Sequence, residues 1–369
     1  SQYPEDFGDE VPFITPSDSF EKKYISRSER YLSRLGSDRL KDKIISSDSI
    51  MVTCIGSAMG KVAKNSLPSV TNQQINSIIV NENFDSDYIY YLFKNNYAVF
   101  RNAASGSTAI PILNKTDFDN LRFKVELNLN EQRKMVSILS TIDDKIEINN
   151  QINQELEAMA KTLYDYWFVQ FDFPDQNGKL YKSSGGKMVY HPELKREIPE
   201  GWGVEKLSHF LTIKNGKDHK HLQDGKFAVY GSGGIMRTVA DYLYSGESIL
   251  FPRKGTLNNV MYVNEKFWTV DTMFYSEVNK NTSALYVFYS VKDIDFNKLN
   301  TGTGVPSMTS SILYDLNIVV PEENILEKFN TVVKRNYETI KLNNIQNQEL
   351  TQLRDWLLPM LMNGQVKVE

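Results

Sequence analysis

Two carboxylates and a lysine in this sequence have types and an order that could support hydrolysis. Asp175 follows a proline, and Glu193 and Lys195 come later in the same stretch. Magnesium-dependent nucleases gather Asp, Glu and Lys in this loose order, and their carboxylates must converge on the ion from adjacent strands. Because no apolar strand surrounds Glu193, the order indicates a chance match. A nuclease stays an alternative, which magnesium-dependent nicking abolished by Glu193→Ala would support.

Other catalytic patterns do not occur in the sequence. The glycine-rich runs 231–234 and 302–304 lack the strand, GxGxxG and helix order that binds a dinucleotide, and there is no P-loop. We find no Asn-Pro-Pro-aromatic tetrapeptide of the kind that adenine methyltransferases use. His219 and His221 alternate as on a strand, but a pair without a third ligand indicates a solvated loop. We therefore predict no catalytic residue, no metal site and no cofactor in this chain.

Hydroxyl and basic side chains on or near glycine-rich loops indicate a binding function. Glycine lets a backbone approach phosphates closely, and Arg or Lys can neutralise a phosphate or contact a guanine. The residues predicted to bind DNA are Lys61, Lys64, Arg101, Ser105, Ser107, Thr108, Arg237, Arg253, Lys254, Thr301 and Thr303. For each of them the alternative is a solvated surface residue or a turn needed for folding.

An internal repeat reveals the elements that position these loops. Residues 149–156 (NNQINQEL) return as 343–350 (NNIQNQEL), displaced by 194 positions. Each copy lies in a long segment with the apolar spacing of a helix that packs on a partner helix. Segment 130–168 has neither Pro nor Gly, and at about 1.5 Å per residue it would form a rod of about 57 Å, longer than one turn of B-DNA. In an antiparallel coiled coil, buried asparagines would fix the register, namely Asn149, Asn153, Asn343 and Asn347.

The duplication extends to the sequence around the helices. Strand-like residues 49–52 are answered by 248–251, Gly56 by Gly255, the loop 105–111 by 301–306, and a last strand at 121–125 by 316–320. The predicted fold is α+β, with two tandem-repeated mixed α/β domains separated by a long antiparallel coiled-coil helix pair. The predicted segments are a first domain (1–129), a central helix (130–168), a polar linker (169–203), a second domain (204–320) and a C-terminal helix (321–369). The first domain has no counterpart of the amphipathic entry 202–214, so we expect it to lack about 20 leading residues.

Composition narrows the class of protein. With 369 residues, of which 41% are hydrophobic, the chain can bury more than one core. Cys54 is the only cysteine, which excludes an internal disulfide framework and favours a reducing cytoplasm. The sequence shows no basic and apolar leader and no run of about 18 apolar residues. The formal net charge of -4 arises in the two helical segments, so the domains can still be basic on one face.

The sequence resembles the specificity subunits of Type I restriction-modification systems. The resemblance covers essentially the whole chain and rests on residues 11–18 (VPFITPSD), 130–133 (NEQR), 163–168 (LYDYWF), 198–202 (IPEGW) and 357–364 (LLPMLMNG). It implies two target recognition domains, each reading one half of a bipartite double-stranded DNA sequence, with the helices as spacer and docking surface.

The same resemblance implies the partners and cofactors. Two modification subunits would methylate adenine with S-adenosylmethionine, and restriction subunits would add ATP- and magnesium-dependent cleavage in a prokaryotic cytoplasm. The specificity subunit itself would have no active site.

The second helix begins with Pro321 and Glu322 where the first has Glu131 and Gln132, a departure that bears on whether both helices bind partners alike. A non-enzymatic coiled-coil interaction protein is the other alternative, which salt-dependent DNA affinity would argue against.

Overall fold

The chain folds into two compact units in a computed structural model. The structure describes residues 3–56, 59–104, 111–279, 284–302 and 304–366. Unit 1 comprises residues 1–150 and 344–369, and unit 2 comprises residues 151–343. Each unit therefore combines a mixed α/β domain with one part of each long helix.

Small sheets and short helices build the domain of unit 1. Its strands are β1 (Phe7–Gly8), β2 (Val11–Ile14), β3 (Tyr24–Ile25), β4 (Tyr31–Leu32), β5 (Ile50–Thr53), β6 (Val62–Asn65), β7 (Val70–Thr71) and β8 (Ile75–Ile78). Its helices are α1 (Arg34–Arg39), α2 (Ser86–Asn95), α3 (Tyr97–Asn102) and α4 (Lys115–Asp119). One sheet has the order β1-β4-β2-β7 and another the order β3-β6-β5-β8.

Helix α2 illustrates how local sequence sets these elements. The Asp85 side chain accepts hydrogen bonds from the backbone N–H groups of Asp87 and Tyr88, which satisfies donors that the first helical turn leaves unpaired. The aromatic face of α2 then packs on β5, all of whose residues are buried, and on Phe100 of α3. The first long helix joins this core through Leu139.

Unit 2 is built around a larger sheet with the order β12-β17-β15-β16-β13-β14. Its strands are β9 (Met188–His191), β10 (Arg196–Pro199), β11 (Gly203–Lys206), β12 (Leu211–Asn215), β13 (Asp224–Gly231), β14 (Gly234–Val239), β15 (Tyr244–Pro252), β16 (Met261–Thr269), β17 (Met273–Val278) and β18 (Asn317–Val320). Its short helices are α6 (Leu207–Phe210), α7 (Ala284–Lys292) and α8 (Ser310–Tyr314). Buried α7 packs against β15 and β16, as α2 packs against β5 in unit 1.

Two long helices, α5 (Leu129–Tyr164) and α9 (Glu323–Met362), confirm the predicted helix pair. In unit 1, Asp143 of α5 bonds to Arg354 of α9 and Asn149 bonds to Asn347, so residue numbers rise along one helix as they fall along the other. The pair is therefore antiparallel. A π-helical turn, Asp165–Val169, follows α5. None of the helices in the part of the chain that the structure describes is long and apolar enough to cross a bilayer.

The predicted strand at 121–125 is wrong, because these residues have no strand structure. Its counterpart β18 pairs antiparallel with β11. A strand requires a hydrogen-bonding partner, and no described segment of unit 1 pairs with 121–125. Phe123 and Val125 instead pack as irregular chain against the core of unit 1.

The predicted polar linker is structured. β9 and β10 form an antiparallel hairpin within it. Phe171, Phe173 and Trp202 are buried in the core of unit 2, where the Phe173 and Trp202 rings stack with centroids 4.8 Å apart. Aromatic burial at its two ends therefore attaches this segment to unit 2.

Candidate nucleic-acid interface

Residues 253–255, directly after β15 in unit 2, are held between two other loops. The backbone N–H of Arg253 donates to the carbonyl of Thr272 at 2.8 Å, and the Arg253 carbonyl accepts from the N–H of Met308 at 2.9 Å. The N–H of Gly255 donates to the carbonyl of Pro306 at 3.0 Å. These bonds join the end of β15, the β16–β17 turn and the loop before α8 into one surface, which we call the loop frame.

The basic side chains of the loop frame are available for an anionic ligand. Arg253 and Lys254 are exposed, and neither forms an ion pair with another described residue. The Arg253 guanidinium lies 5.9 Å from the centroid of the Phe274 ring, a distance at which a cation is attracted to an aromatic face. A guanidinium and an ammonium in this setting can neutralise phosphates or contact the edge of a guanine.

The loop before α8 is shaped by its own hydrogen bonds. The N–H and the hydroxyl of Thr301 both donate to the carbonyl of Ser307, at 2.9 and 3.2 Å. The Asn300 side-chain oxygen accepts from the N–H groups of Gly302 and Ser307, each at 2.8 Å. A Cβ at Gly302 would overlap the carbonyl oxygen of Val305, so this turn requires glycine. Thr301 thus shapes the loop frame, and Thr303 lies outside the described residues.

Unit 1 repeats the loop frame with other side chains. The N–H of Cys54 donates to the carbonyl of Gln74 at 2.8 Å, and the Cys54 carbonyl accepts from Leu113 at 2.9 Å. The N–H of Gly56 donates to the carbonyl of Pro111 at 3.1 Å. Every bond matches one in unit 2, so the predicted correspondence of Gly56 with Gly255 holds at the level of hydrogen bonds. Outside the described residues lie the predicted contacts Ser105, Ser107 and Thr108.

Lys64 must be withdrawn from the predicted DNA contacts. Its side chain is only 1% exposed, and its ammonium bonds to Asp87 at 2.6 Å, to Asp48 at 2.9 Å and to the Tyr24 hydroxyl at 2.9 Å. Asp87 also accepts from Lys23 at 2.7 Å. A buried ammonium with this many partners is retained inside the domain, because exposing it would leave the carboxylates unpaired.

The ionisation of this buried cluster is set by its partners. Burial lowers the pKa of Lys64, but hydrogen bonds to Asp87 and Tyr24 outweigh burial and raise the net pKa. Burial raises the pKa of Tyr24 to about 12. Lys64 is therefore charged and Tyr24 neutral at neutral pH.

The remaining predicted basic contacts have partners within their own unit. Lys61 pairs with Glu21, which lies in the connection between β2 and β3. Arg101 donates to the Tyr97 hydroxyl at 2.8 Å. Arg237 pairs with Asp224 at 2.9 Å. None of these three lies in the loop frame, and their role in binding stays a prediction.

The nuclease alternative finds no support in the described geometry. The Asp175 carboxylate accepts from the backbone N–H groups of Asn177 and Lys179, each at 2.8 Å, and so closes a turn. Glu193 and Lys195 lie in the turn of the β9–β10 hairpin. Within the residues described, no three His, Cys, Asp or Glu side chains are grouped so that they could hold a metal ion.

Sequence reasoning missed a group of amide side chains beside the loop frame of unit 1. Asn72, Gln73 and Asn76 line a cleft next to β7 and β8. The available signal was the run NQQIN between two short apolar strands, since asparagine and glutamine are the residues that read adenine.

The fold and the repeated loop frame define a protein with two similar binding domains carried on an antiparallel helix pair. The chain belongs to the family of the Type I restriction modification DNA specificity domain, which matches residues 4–158 and 199–352. Its two domains are thus DNA specificity domains, and this membership assigns the chain to sequence specificity rather than to catalysis.

Individual relatives agree with this family. The chain is 29% identical to the MjaIX specificity subunit of Methanocaldococcus jannaschii, over 98% of this chain and 88% of that protein. It is 35% identical to the HindI specificity subunit of Haemophilus influenzae, over 64% of this chain and 67% of that protein. A crystal structure of a Type I restriction-modification S subunit from M. genitalium shares the fold with a TM-score of 0.60 at 19% identity, covering 96% of this chain and 93% of that one.

Proposed function

We propose that this chain is the specificity subunit of a Type I restriction-modification complex and that it reads a bipartite DNA target. Residues 1–129 and 204–320 would act as target recognition domains 1 and 2, each contacting one half-site. The observation that carries this proposal is the loop frame, which recurs bond for bond in the two units but carries different side chains. One scaffold with two sets of contact groups is what reading two different short sequences requires.

The long helices would dock two modification subunits and, with them, restriction subunits. Large apolar side chains are exposed on both helices, among them Ile148 and Trp356 in unit 1 and Met159 and Leu342 in unit 2. Exposed apolar groups of this size support a protein interface. S-adenosylmethionine, ATP and magnesium would be bound by those partners in a prokaryotic cytoplasm, and this chain would contribute no catalytic group.

The test is to express this chain together with its cognate modification subunit and to sequence the host DNA for methylated adenine. We expect one bipartite motif that is present only when both proteins are expressed. The modification subunit expressed alone is the control.

Two results would overturn parts of the proposal. A stable, DNA-binding complex that adds no methylation would contradict the reading role of one or both domains. Failure of the two proteins to associate, together with DNA affinity that does not depend on salt, would favour a coiled-coil interaction protein.

A further inference from the structure

An open cleft of about 1040 Å³ lies beside the loop frame of unit 1. Its polar lining includes basic side chains and amides, namely Arg39, Lys43, Lys115, Asn72, Gln73 and Asn76, together with Asp6 and the hydroxyl groups of Tyr3, Thr71 and Ser77. Gln74, whose backbone carbonyl accepts from Cys54 in the loop frame, lies in the chain between two residues that line the cleft, Gln73 and Ile75.

The charge of the cleft is positive on balance. Arg39 is paired with Asp6 at 2.6 Å, and Lys115 is paired with Asp119 at 3.0 Å. Lys43 is exposed and forms no ion pair with another described residue. The pair between Lys115 and Asp119 is also exposed, so it contributes little stability and can exchange for a phosphate.

The amides differ in how far their hydrogen bonds are already used. The Asn72 amide donates to the Gln74 side-chain oxygen at 3.2 Å and accepts from the Gln74 backbone N–H at 3.1 Å. Asn76 donates to the Cys54 sulfur at 3.2 Å. Gln73 is exposed, and its amide forms no hydrogen bond with another described residue. A complete donor and acceptor pair is therefore presented at Gln73.

The repeat shows which side chains the two units present at matching positions, and Gln73 of unit 1 corresponds to the exposed Asp271 of unit 2. Cys54 and Asn76 of unit 1 are in contact, and their counterparts in unit 2 are Arg253 and Phe274, which are also in contact. Whereas β15 is followed by the exposed Arg253, β5 is followed by the buried Cys54. Unit 1 thus lacks the guanidinium of the shared frame, and its open hydrogen-bonding group is the adjacent Gln73.

We propose that Gln73 reads an adenine of the half-site bound by unit 1, with Lys43 and Lys115 contacting flanking phosphates. A glutamine amide can donate to N7 and accept from the N6 amino group of adenine in the major groove, a pairing that no other base offers. This inference rests on the proposed function and assigns a base class to one of its two half-sites.

The test uses the complex of this chain with its cognate modification subunit. Gln73→Ala is expected to relax one A·T position in one half-site of the methylated motif and to leave the other half-site unchanged. At that position the preference for the correct base should fall about 5- to 150-fold. The matched control is Gln365→Ala, which removes an exposed glutamine of unit 1 that does not line the cleft.

A modified base isolates the contact itself. Duplexes carrying 7-deazaadenine at the relaxed position lack the N7 acceptor, so wild-type complex should bind them more weakly, whereas the Gln73→Ala complex should bind both duplexes equally. Lys43→Gln should weaken binding to all sequences alike and reduce the slope of log K against log salt by about 1.

The outcomes separate this inference from the proposed function. A wild-type complex without any motif would defeat the proposed function. A normal wild-type motif that Gln73→Ala leaves unchanged would overturn the role of Gln73 alone, and relaxation at a G·C position would overturn its assignment to adenine.

Discussion

The side-chain amide of Asn149 on α5 donates a hydrogen bond to the side-chain oxygen of Asn347 on α9 at 2.9 Å. Asn149 is 1% exposed, and its amide also donates to Gln346 at 2.8 Å. Unit 2 contains the repeat-related pair, in which Asn343 donates to Asn153 at 2.8 Å. The asparagines predicted to meet do meet within each unit, and their role in fixing the register stays a prediction.

Asn149→Leu is expected to lower the free energy of unfolding of unit 1 by about 1 kcal/mol, because half-buried Asn347 loses a hydrogen bond, whereas exposed Gln346 can bond to water instead. The double variant Asn149→Leu with Asn347→Leu should recover most of this loss, since two leucines pack well in a helix seam. Urea unfolding, monitored by hydrogen exchange of peptides from residues 129–150, measures both effects. Gln352→Leu on the exposed face of α9 is the control. Strictly additive effects of the two substitutions would show that the pair is not coupled.

Asp143 ties the domain of unit 1 to both of its helical segments. Its carboxylate accepts from the Tyr91 hydroxyl of α2 at 2.6 Å and from Arg354 of α9 at 2.7 Å. Asp143→Asn should destabilise unit 1 by about 2 kcal/mol, because the largely buried Arg354 guanidinium then keeps the exposed carboxylate of Asp355 as its one charged partner among the described residues. Tyr91→Phe removes one neutral donor and should cost about 1 kcal/mol. Faster hydrogen exchange in residues 86–95 and 129–150 would report the loss of stability. Equal effects of Asp143→Asn and Tyr91→Phe would contradict the prediction that the bond to Arg354 contributes more than the bond to Tyr91.

Asp87 should make the stability of unit 1 depend on pH. Burial raises its pKa, but hydrogen bonds from Lys23 and Lys64 outweigh burial and hold the net pKa below the ordinary value of 3.8. The folded carboxylate therefore binds its proton less readily than the unfolded one, so its stabilising contribution is complete above about pH 5 and is lost as the pH falls through the folded pKa. Asp87→Asn should cost about 3 kcal/mol at pH 7 and progressively less below about pH 4.

Urea titrations of the wild-type and Asp87→Asn chains from pH 3 to 7 measure this dependence. The control is Asp119→Asn, which breaks an exposed pair with Lys115 and should change stability by less than about 1 kcal/mol. A difference between wild type and Asp87→Asn that stays constant down to pH 3 would contradict the depressed pKa.

Much of the fold could be predicted because its signals are local or repeated. The asparagine echo and the Pro- and Gly-free run predict α5, which begins at Leu129, within one residue of the predicted start. Strand β5 and helix α7 coincide with apolar runs of suitable length. The strand at 121–125 could not be excluded from sequence, because its apolar pattern matches β18 and only the partner strand differs.

The candidate site was harder to predict because exposure depends on distant residues. Lys64 is buried by Asp48, Asp87 and Tyr24, which no local pattern connects to it. Arg253 follows a strand and precedes a glycine turn, and it is exposed, while its contact with DNA stays a prediction. Gln73 could not be singled out from the sequence, because its place beside the loop frame emerges only when the hydrogen bonds of Cys54 in unit 1 are compared with those of Arg253 in unit 2.

Arg253→Ala should relax a single position of the half-site read by unit 2, because a guanidinium is the preferred partner of guanine O6 and N7. We expect about a 5- to 150-fold loss of preference at a G·C pair there and an unchanged half-site for unit 1. Lys254→Gln should instead weaken binding to every sequence and reduce the log K against log salt slope by about 0.9, since we assign its ammonium to a phosphate, a contact that carries no base information. Lys179→Ala removes one exposed charge outside the loop frame and serves as the control for both. If the methylated motif and the affinity of the complex with its modification subunit are the same for Arg253→Ala and Lys179→Ala, Arg253 does not contact DNA.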